Sequence, residues 1–566
     1  MFAALSFLAL AACALAAQPS FLFMLGDDIG WSDFSYMNGT AVTPRINAWR
    51  QQPGSVLFQD FHTGGTVCSP TRATVLTGRN HFRDCVDYVY DCSDMTQCVP
   101  DFEFAPQRTF TIADAARAAN AGYASAHFGK WHLGSFYNDS ELLGGTTSSP
   151  ITHGFDIFNS TVEVAPTATS NCQCDKAWAG SCDFGHNAPT EHCAGAPNGV
   201  AVGNCCFNWW HGDASAPHGV ANHTSPTPDD DAFFAADAFI RFLRSRNGAP
   251  FLAQISFHNC HIPFVGTPQR RAACNSSAEC AAPLPGSAPY SSEELDFYSC
   301  LNELDNSVGL VLDALQQEGY YDNTMTWFTV DNGPEVNCLP EGRCGSGATG
   351  RIPPGTLHRP ACAGAGSAGP LRGRKRDVWE GGHRVPGVVS WPAVVGGGAA
   401  RVSWDPVVTM DFHATVLEVL GVTRPPAQAG WAYDGVSILP ILQGKAPAAR
   451  GIGWMYMAPQ ASAHNGYAFR YGNWKYVAGG ISCDAAKATF DCSKPQLYDM
   501  ATDFAEDFDL AAKRPEVLAA IAANFTAWYD SVQNSIANEV RARRRRRARA
   551  SGAPFSRPLP RSATTS

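Results

Sequence analysis

The sequence predicts an α/β fold: a large, mostly parallel mixed sheet sandwiched by helices, followed by a small C-terminal α+β unit. Three observations lead there. Four short apolar runs end in polar residues able to do chemistry. Run 20–25 leads into Gly26-Asp27-Asp28, 122–128 into Gly129-Lys130-Trp131-His132, 251–257 into His258-Asn259-Cys260-His261, and 325–330 into Asp331-Asn332-Gly333. Helical patterns at 111–120, 231–244 and 294–317 precede the last three runs. Past a boundary near 444–450 the pattern changes to an aromatic-rich, strand-like stretch at 451–477, then Gln496-Leu497-Tyr498-Asp499 and a helix over 515–533.

Each apolar run is short, bounded by turn formers and rich in branched or aromatic residues, which marks a buried strand. Strands alternating with helices imply parallel pairing. In such sheets ligands bind beyond the carboxyl ends of the strands. One polar strand end is an ordinary turn; four together describe a shared site. Stretches rich in Pro, Gly and Ala at 281–289, 345–370 and 394–400 read as loops, as does the cysteine-rich segment 161–228.

With 566 residues and 45% hydrophobic content, the chain exceeds one ordinary domain. We expect a large unit over 18–445, a small one over 446–540 and a basic disordered tail over 541–566. Residues 1–17 read as a secretory signal peptide, with an apolar run at 2–12 and small residues Ala14, Ala16 and Ala17 offering a cleavage site. No later stretch has the ~18 uninterrupted apolar residues of a membrane span. A secretory address, extracellular, cell-wall or lysosome-like, follows.

Twenty cysteines suit an oxidising compartment. Cys13 falls in the leader; setting Cys68 aside as well leaves an even number. The run from Cys172 to Cys206, with His186 and His192, reads better as a disulfide-stapled loop than as a zinc site, because it lacks paired C-x-x-C units. Sequons at Asn38, Asn138, Asn159, Asn222, Asn275 and Asn524 fit a secreted glycoprotein. The net charge of −10 conceals a tail, 541–566, with nine Arg and no acid. Such blocks are usually solvated, with contact to an anionic polysaccharide or trimming by a protease that cuts at basic residues as the alternatives. The leader argues against nucleic acid.

The most informative segment is Cys68-Ser69-Pro70-Thr71-Arg72-Ala73-Thr74-Val75-Leu76-Thr77-Gly78-Arg79. Pro70 suits the first turn of a helix, where a missing N–H costs nothing. Gly78 is a natural helix stop. Cys68 then lies at a helix N-terminus, which favours an anion. Asp27, Asp28, Asp331 and Asn332 together offer oxygen ligands of the kind that suit a hard cation, Ca²⁺ or Mg²⁺. Lys130 and His132, two residues apart after a strand, supply a fixed positive charge and a titratable base. His258 and His261 follow another strand; Pro263 fixes the turn behind His261 and favours it. Lys375, in a basic run before Gly381-Gly382, reads alone as a surface loop.

These segments resemble the type I sulfatase family in order: LGDDIGW (25–31), TPRINAW (43–49), CSPTRATVLTGR (68–79), GYASAHFGKWHLG (122–134), HGFD (153–156), VDNGP (330–334), LRGRKRDVWEGGHRVP (371–386), DGVSILPIL (434–442) and QLYDMATDFAEDFDL (496–510). The resemblance covers about residues 20 to 530. It implies the alkaline-phosphatase-like fold and hydrolysis of an aryl or carbohydrate sulfate ester. It implies that a formylglycine-generating enzyme converts Cys68 to the aldehyde, 3-oxoalanine, whose hydrate attacks sulfur. Asp27, Asp28, Asp331 and Asn332 would bind Ca²⁺ (Mg²⁺ being the lesser candidate), with the modified Cys68 completing the site. Arg72 would steady the hydrate. Lys130 and Lys375 would neutralise the sulfate oxygens. His261 would protonate the leaving alcohol, and His132 would take the proton from the second hydroxyl so that sulfate departs.

The chain departs from the family pattern at Thr71, where Ser is commoner, and at Cys260, where Pro or Thr is commoner. Two alternatives stay open. One is a phosphatase or phosphodiesterase of the same superfamily, whose relatives use Ser or Thr where this chain has Cys68. The other is a non-catalytic binding protein with Cys68 unmodified.

Overall fold

The computed structural model describes residues 18–37, 39, 41–88, 109–134, 148–161, 209–216, 220–222, 231–261, 268–276, 292–335, 366–456, 466–479 and 494–550. The expected leader, the cysteine-rich run from Cys172 to Cys206, loop 281–289, most of 345–370, sequons Asn38 and Asn138, and residues 551–566 lie outside the described residues.

The first apolar run becomes strand β1 (Ser20–Gly26), buried along its whole length. The next strands are β2 (Ser55–His62), β3 (Ala124–Lys130), β4 (Ile157–Thr161), β5 (Trp209–Asp213) and β6 (Val220–Asn222). They are followed by β7 (Phe251–Ser256), β8 (Thr324–Val330), β9 (Arg384–Ser390), β10 (Arg401–Ser403) and β11 (Val407–Val408). Among the described residues these form one sheet in the order β10-β2-β9-β8-β1-β7-β3-β4-β5-β6, with β11 also on β2. The centre, β8-β1-β7-β3-β4, is parallel. Strand β9 runs antiparallel between β2 and β8, and β5 and β6 add an antiparallel edge, which makes the sheet mixed.

Continuous burial of β1 and β8 requires cover on both faces. Helices supply it. The group Asp231–Ser245 with Ser292–Gln317 and the group Cys68–Thr77, Ile112–Ala118 and Met410–Leu420 each pack internally and against the central strands. Helix Ile112–Ala118 starts where the sequence directs it, with Thr111 and Asp114 closing a reciprocal capping box.

Register brings the strand ends level. Gly26 pairs with Val330, Leu25 with Ser256, and Gly129 with Ser256. The next residues of β1, β3 and β8 are therefore Asp27, Lys130 and Asp331, side by side. Gly129 is required here: its φ is +86°, and a Cβ would lie 2.0 Å from the Ser256 carbonyl oxygen.

A second, antiparallel sheet joins β12 (Gly451–Tyr456), β13 (Gly466–Tyr471), β14 (Trp474–Gly479) and β15 (Gln496–Asp499). The helix Pro515–Ala550 packs on it through Phe525 and Trp528, which meet Phe469 and Tyr476. This helix does not stop at Gln533 but runs to Ala550. Arg and Ala are strong helix formers, and the stretch Arg541–Ala550 contains little else, so propensity carries the helix onward. No helix among the described residues is long and apolar enough to cross a membrane.

Candidate active site

Cys68 opens the helix Cys68–Thr77, preceded by Val67 in extended conformation and ended by Gly78 at φ +67°. Every residue of this helix is buried. Gly78 takes the left-handed cap that the sequence assigns to it. The helix thus delivers the thiol to the level strand ends. Cys68 Sγ lies 3.5 Å from Asp27 Oδ1 and 3.5 Å from Lys130 Nζ.

The remaining sequence-predicted residues converge there. Arg72, one turn along the helix, donates to Asp331 Oδ2 at 2.9 Å, to Asp27 Oδ2 at 3.2 Å and to the Lys130 carbonyl oxygen at 2.8 Å. Lys130 pairs with Asp27. Asn332 donates to Asp28 Oδ1 at 2.7 Å. Lys375 lies in a loop as expected, but not at the surface: it is buried, with Nζ 2.7 Å from Asp28 Oδ2 and 3.4 Å from His261 Nε2. His261 Nε2 lies 3.5 Å from Asp28 Oδ2.

The two histidines after β7 separate cleanly. His258 Nε2 meets Thr161 Oγ1 at 2.7 Å and its ring stands edge-on to Trp209. His261 faces the carboxylates. The turn carrying it is fastened to Asp27 from both sides: Asp27 N–H donates to the Asn259 carbonyl at 2.8 Å, and Cys260 N–H donates to the Asp27 carbonyl at 2.6 Å. His132 adopts φ +54°, and its Nδ1 is buried without a hydrogen-bond partner among the described residues.

Sequence reasoning missed Glu335. It is buried and holds Lys375 at 2.9 Å and Arg376 in a two-pronged ion pair. It stands three residues past Asn332, and an acid so close to a strand-end Asp-Asn pair was the available signal.

Electrostatics follow from burial and charge. Burial works to raise the Asp27 carboxyl, but Lys130, His261, Arg72 and Lys375 prevail and hold it well below the usual range. Burial pushes Asp28 up to about 7; Lys375 opposes, while Asp27, Glu335 and Asp331 reinforce. Burial and then Asp27 raise Asp331. Burial, Asp27 and Asp331 drive the Cys68 thiol well up, so it is not a thiolate at neutral pH. His132 is driven down by burial, Lys130 and Arg72, and His261 by burial, Lys130 and Lys375.

The donor set fits a hard divalent cation. Asp27, Asp28 and Asp331 are fully buried together, and Asn332 Oδ1 is buried with no hydrogen-bond partner among the described residues. Three crowded carboxylates and an amide oxygen without a donor are what a hard cation satisfies. Ligand atoms of Asp27, Asp28, Cys68 and His261 all lie within 4.8 Å of one another.

The carboxyl edge of the sheet thus gathers three cationic side chains, Arg72, Lys130 and Lys375, around a buried carboxylate cluster. The comparisons give the family. The sequence model of the Sulfatase family matches residues 19–422. Arylsulfatase G of Mus musculus is 26% identical over 498 residues, covering 83% of this chain and 78% of its own. Arylsulfatase A of Bos taurus is 26% identical over 528 residues, covering 90% and 87%. The PsFucS1 sulfatase from Pseudoalteromonas sp. shares the fold with a TM-score of 0.63 at 20% identity, over 91% of each chain. The chain belongs to the sulfatase family and is an arylsulfatase-like sulfuric ester hydrolase with the alkaline-phosphatase-like fold.

Proposed function

We propose that the chain hydrolyses an aryl or carbohydrate sulfate ester with a nucleophile made from Cys68 and a calcium ion held by Asp27, Asp28, Asp331 and Asn332. The observation that carries this reading is the placement of Cys68. It sits between Asp27 and Lys130 at a helix N-terminus, where burial and the neighbouring carboxylates push its thiol up. An unmodified thiol there is a poor nucleophile, whereas oxidation to formylglycine by a maturation enzyme of the secretory pathway supplies a hydrated aldehyde. The cation, when bound, supplies positive charge that orients and polarises the sulfate group.

The chain's own residues do the rest. Arg72 is braced by two carboxylates and a carbonyl, so it presents a fixed charge beside residue 68. Lys130 and Lys375 flank the site and neutralise sulfate oxygens. His132 is neutral, with Nδ1 open to accept a proton. His261 lies beside Lys375 and protonates the departing alcohol. Burial first, and then Lys130 and Lys375, hold its pKa down; an incoming anion works against the two lysine charges.

We assign 18–445 as the catalytic unit and 446–540 as the second, and place the protein in the secretory pathway as a disulfide-bonded glycoprotein. The test is protein secreted from a eukaryotic host, assayed on matched aryl sulfate and aryl phosphate with and without a chelator. Preferred, chelator-sensitive sulfate hydrolysis supports the reading. Faster phosphate hydrolysis or no turnover refutes it.

A further inference from the structure

Outside the site, one other group of described side chains stands close enough to hold an ion: His62, Glu380 and His383, all fully buried. The cation there is the protein's own. Lys475, on β14 of the second sheet, places Nζ 2.8 Å from Glu380 Oε1, 2.7 Å from Glu506 Oε1 and 3.1 Å from His383 Nε2, with no solvent exposure. The cluster extends outward. His383 Nδ1 meets His62 Nδ1 at 3.0 Å, His62 Nε2 meets Asp60 Oδ1 at 2.9 Å, and Asp60 pairs with Arg470 of β13 at 2.7 Å. Arg384 bonds Glu380 Oε2 at 3.2 Å, and the Glu380 N–H donates to Glu506 Oε2 at 2.8 Å.

The turn 380–383 that Lys475 holds also seats the active site. The Gly333 N–H donates to the Gly382 carbonyl at 3.0 Å. The approach is so close that a Cβ on Gly333 would lie 1.8 Å from the Gly381 carbonyl oxygen. Gly333 directly follows Asn332. On the other flank, the His383 carbonyl accepts from Thr63 N–H at 2.8 Å, and Thr63 Oγ1 bonds the Gly65 carbonyl, which also receives Thr71 Oγ1 of the Cys68 helix. One buried turn therefore supports both the Asp331-Asn332 strand end and the loop that leads to Cys68.

We propose that Lys475 is a positioning residue for the hydrolytic site: a cation lent by the second sheet that, through Glu380, fixes turn 380–383 and so the placement of Asn332 and Cys68. The claim rests on the proposed role of Asn332 in cation binding. Its physical basis is that Lys475 neutralises Glu380 and Glu506 where no water reaches. Removing it takes away the group that ties Glu380, Glu506 and His383 together, leaving Glu380 with Arg384 alone and Glu506 buried without its cation, which loosens the turn. Residues that orient metal ligands from behind change affinity or activity by roughly 10–100-fold when lost.

The test compares wild type, Lys475→Met, Lys475→Arg and the charge-balanced double variant Lys475→Met with Glu380→Gln. Three quantities are read: kcat and KM on an aryl sulfate, the half-saturating Ca²⁺ concentration after chelation, and hydrogen exchange at the amides of residues 331–333. Lys475→Met should lower kcat by about tenfold or more with little change in KM, raise the Ca²⁺ midpoint by about tenfold and speed exchange at 331–333. Lys475→Arg should recover part of each. The double variant should regain thermal stability but not the Ca²⁺ midpoint or the exchange protection. A purely structural role predicts that all return together, and that result overturns the proposal. A folded Lys475→Met with wild-type exchange at 331–333 overturns it too. If wild type needs no divalent cation, the proposed function fails, and the exchange measurement still decides the role of Lys475.

Discussion

Cys68 Sγ stands 3.5 Å from Asp27 Oδ1, so the first residue of a helix and the first residue past a strand meet inside the protein. Replacing Cys68 with Ala removes a small uncharged group from a buried site. Cys68→Ala should fold and be secreted like wild type and show no turnover of an aryl sulfate. Retained hydrolysis in that variant would remove residue 68 from the chemistry. Cys68→Ser should be nearly inactive as well, since an alcohol is not converted by the same maturation step.

Asn332 presents a buried oxygen with no hydrogen-bond partner among the described residues, while its amide nitrogen donates to Asp28 Oδ1. Asn332→Ala should raise the Ca²⁺ concentration for half-maximal activity by about tenfold or more, because a hard cation loses an oxygen ligand. A calcium titration after chelation measures this. An unchanged midpoint would place the cation elsewhere.

His261 and His258 should differ sharply. His261 faces Asp28 and Lys375, whereas His258 is spent on Thr161 and Trp209. His261→Ala should lower kcat by about 10²–10⁴-fold, the usual range for a lost general acid. The loss should be smallest on esters with the most acidic leaving phenols, which need no proton. His258→Gln should change kcat little once stability is matched. Equal effects on poor and good leaving groups would remove His261 from that step.

Stability should also carry a signature of Glu506. Burial raises its carboxyl to about 7; Lys475 opposes this and the Glu380 charge reinforces it. Between about 4.5 and 7 the folded protein keeps a proton that the unfolded chain has released. Folding is then favoured less as pH rises through that window. Thermal melts from pH 5 to 7 should show wild type losing ground to Glu506→Gln as pH increases. Parallel curves would mean that Glu506 titrates normally.

Much of the site was legible because it is local. Each apolar run ends in its own polar residue, and parallel pairing of Gly26 with Val330 and of Gly129 with Ser256 brings Asp27, Lys130 and Asp331 level. Pro70 and Gly78 bracket the Cys68 helix in the sequence as they do in space. Lys375 looked like a loop residue, because nothing nearby in sequence announces the two buried acids, Asp28 and Glu335, that draw it inward. The ion cluster around Lys475 was invisible for the same reason. Its members come from five separate segments, and each alone is an ordinary charged residue. The last helix runs past its expected end at Gln533 because a run of Arg signals solvation by charge while its backbone propensity favours helix.

The central claim is that Cys68 is converted to the nucleophile, and peptide mass tests it most directly. Trypsin cleaving after Arg50 and Arg72 releases the peptide 51–72, which contains Cys68. In protein secreted from a eukaryotic host, this peptide should be about 18 Da lighter than its cysteine form, the change from CH₂–SH to CHO. A peptide found only with its thiol free or disulfide-bonded, from a host that matures other sulfatases, would contradict the account.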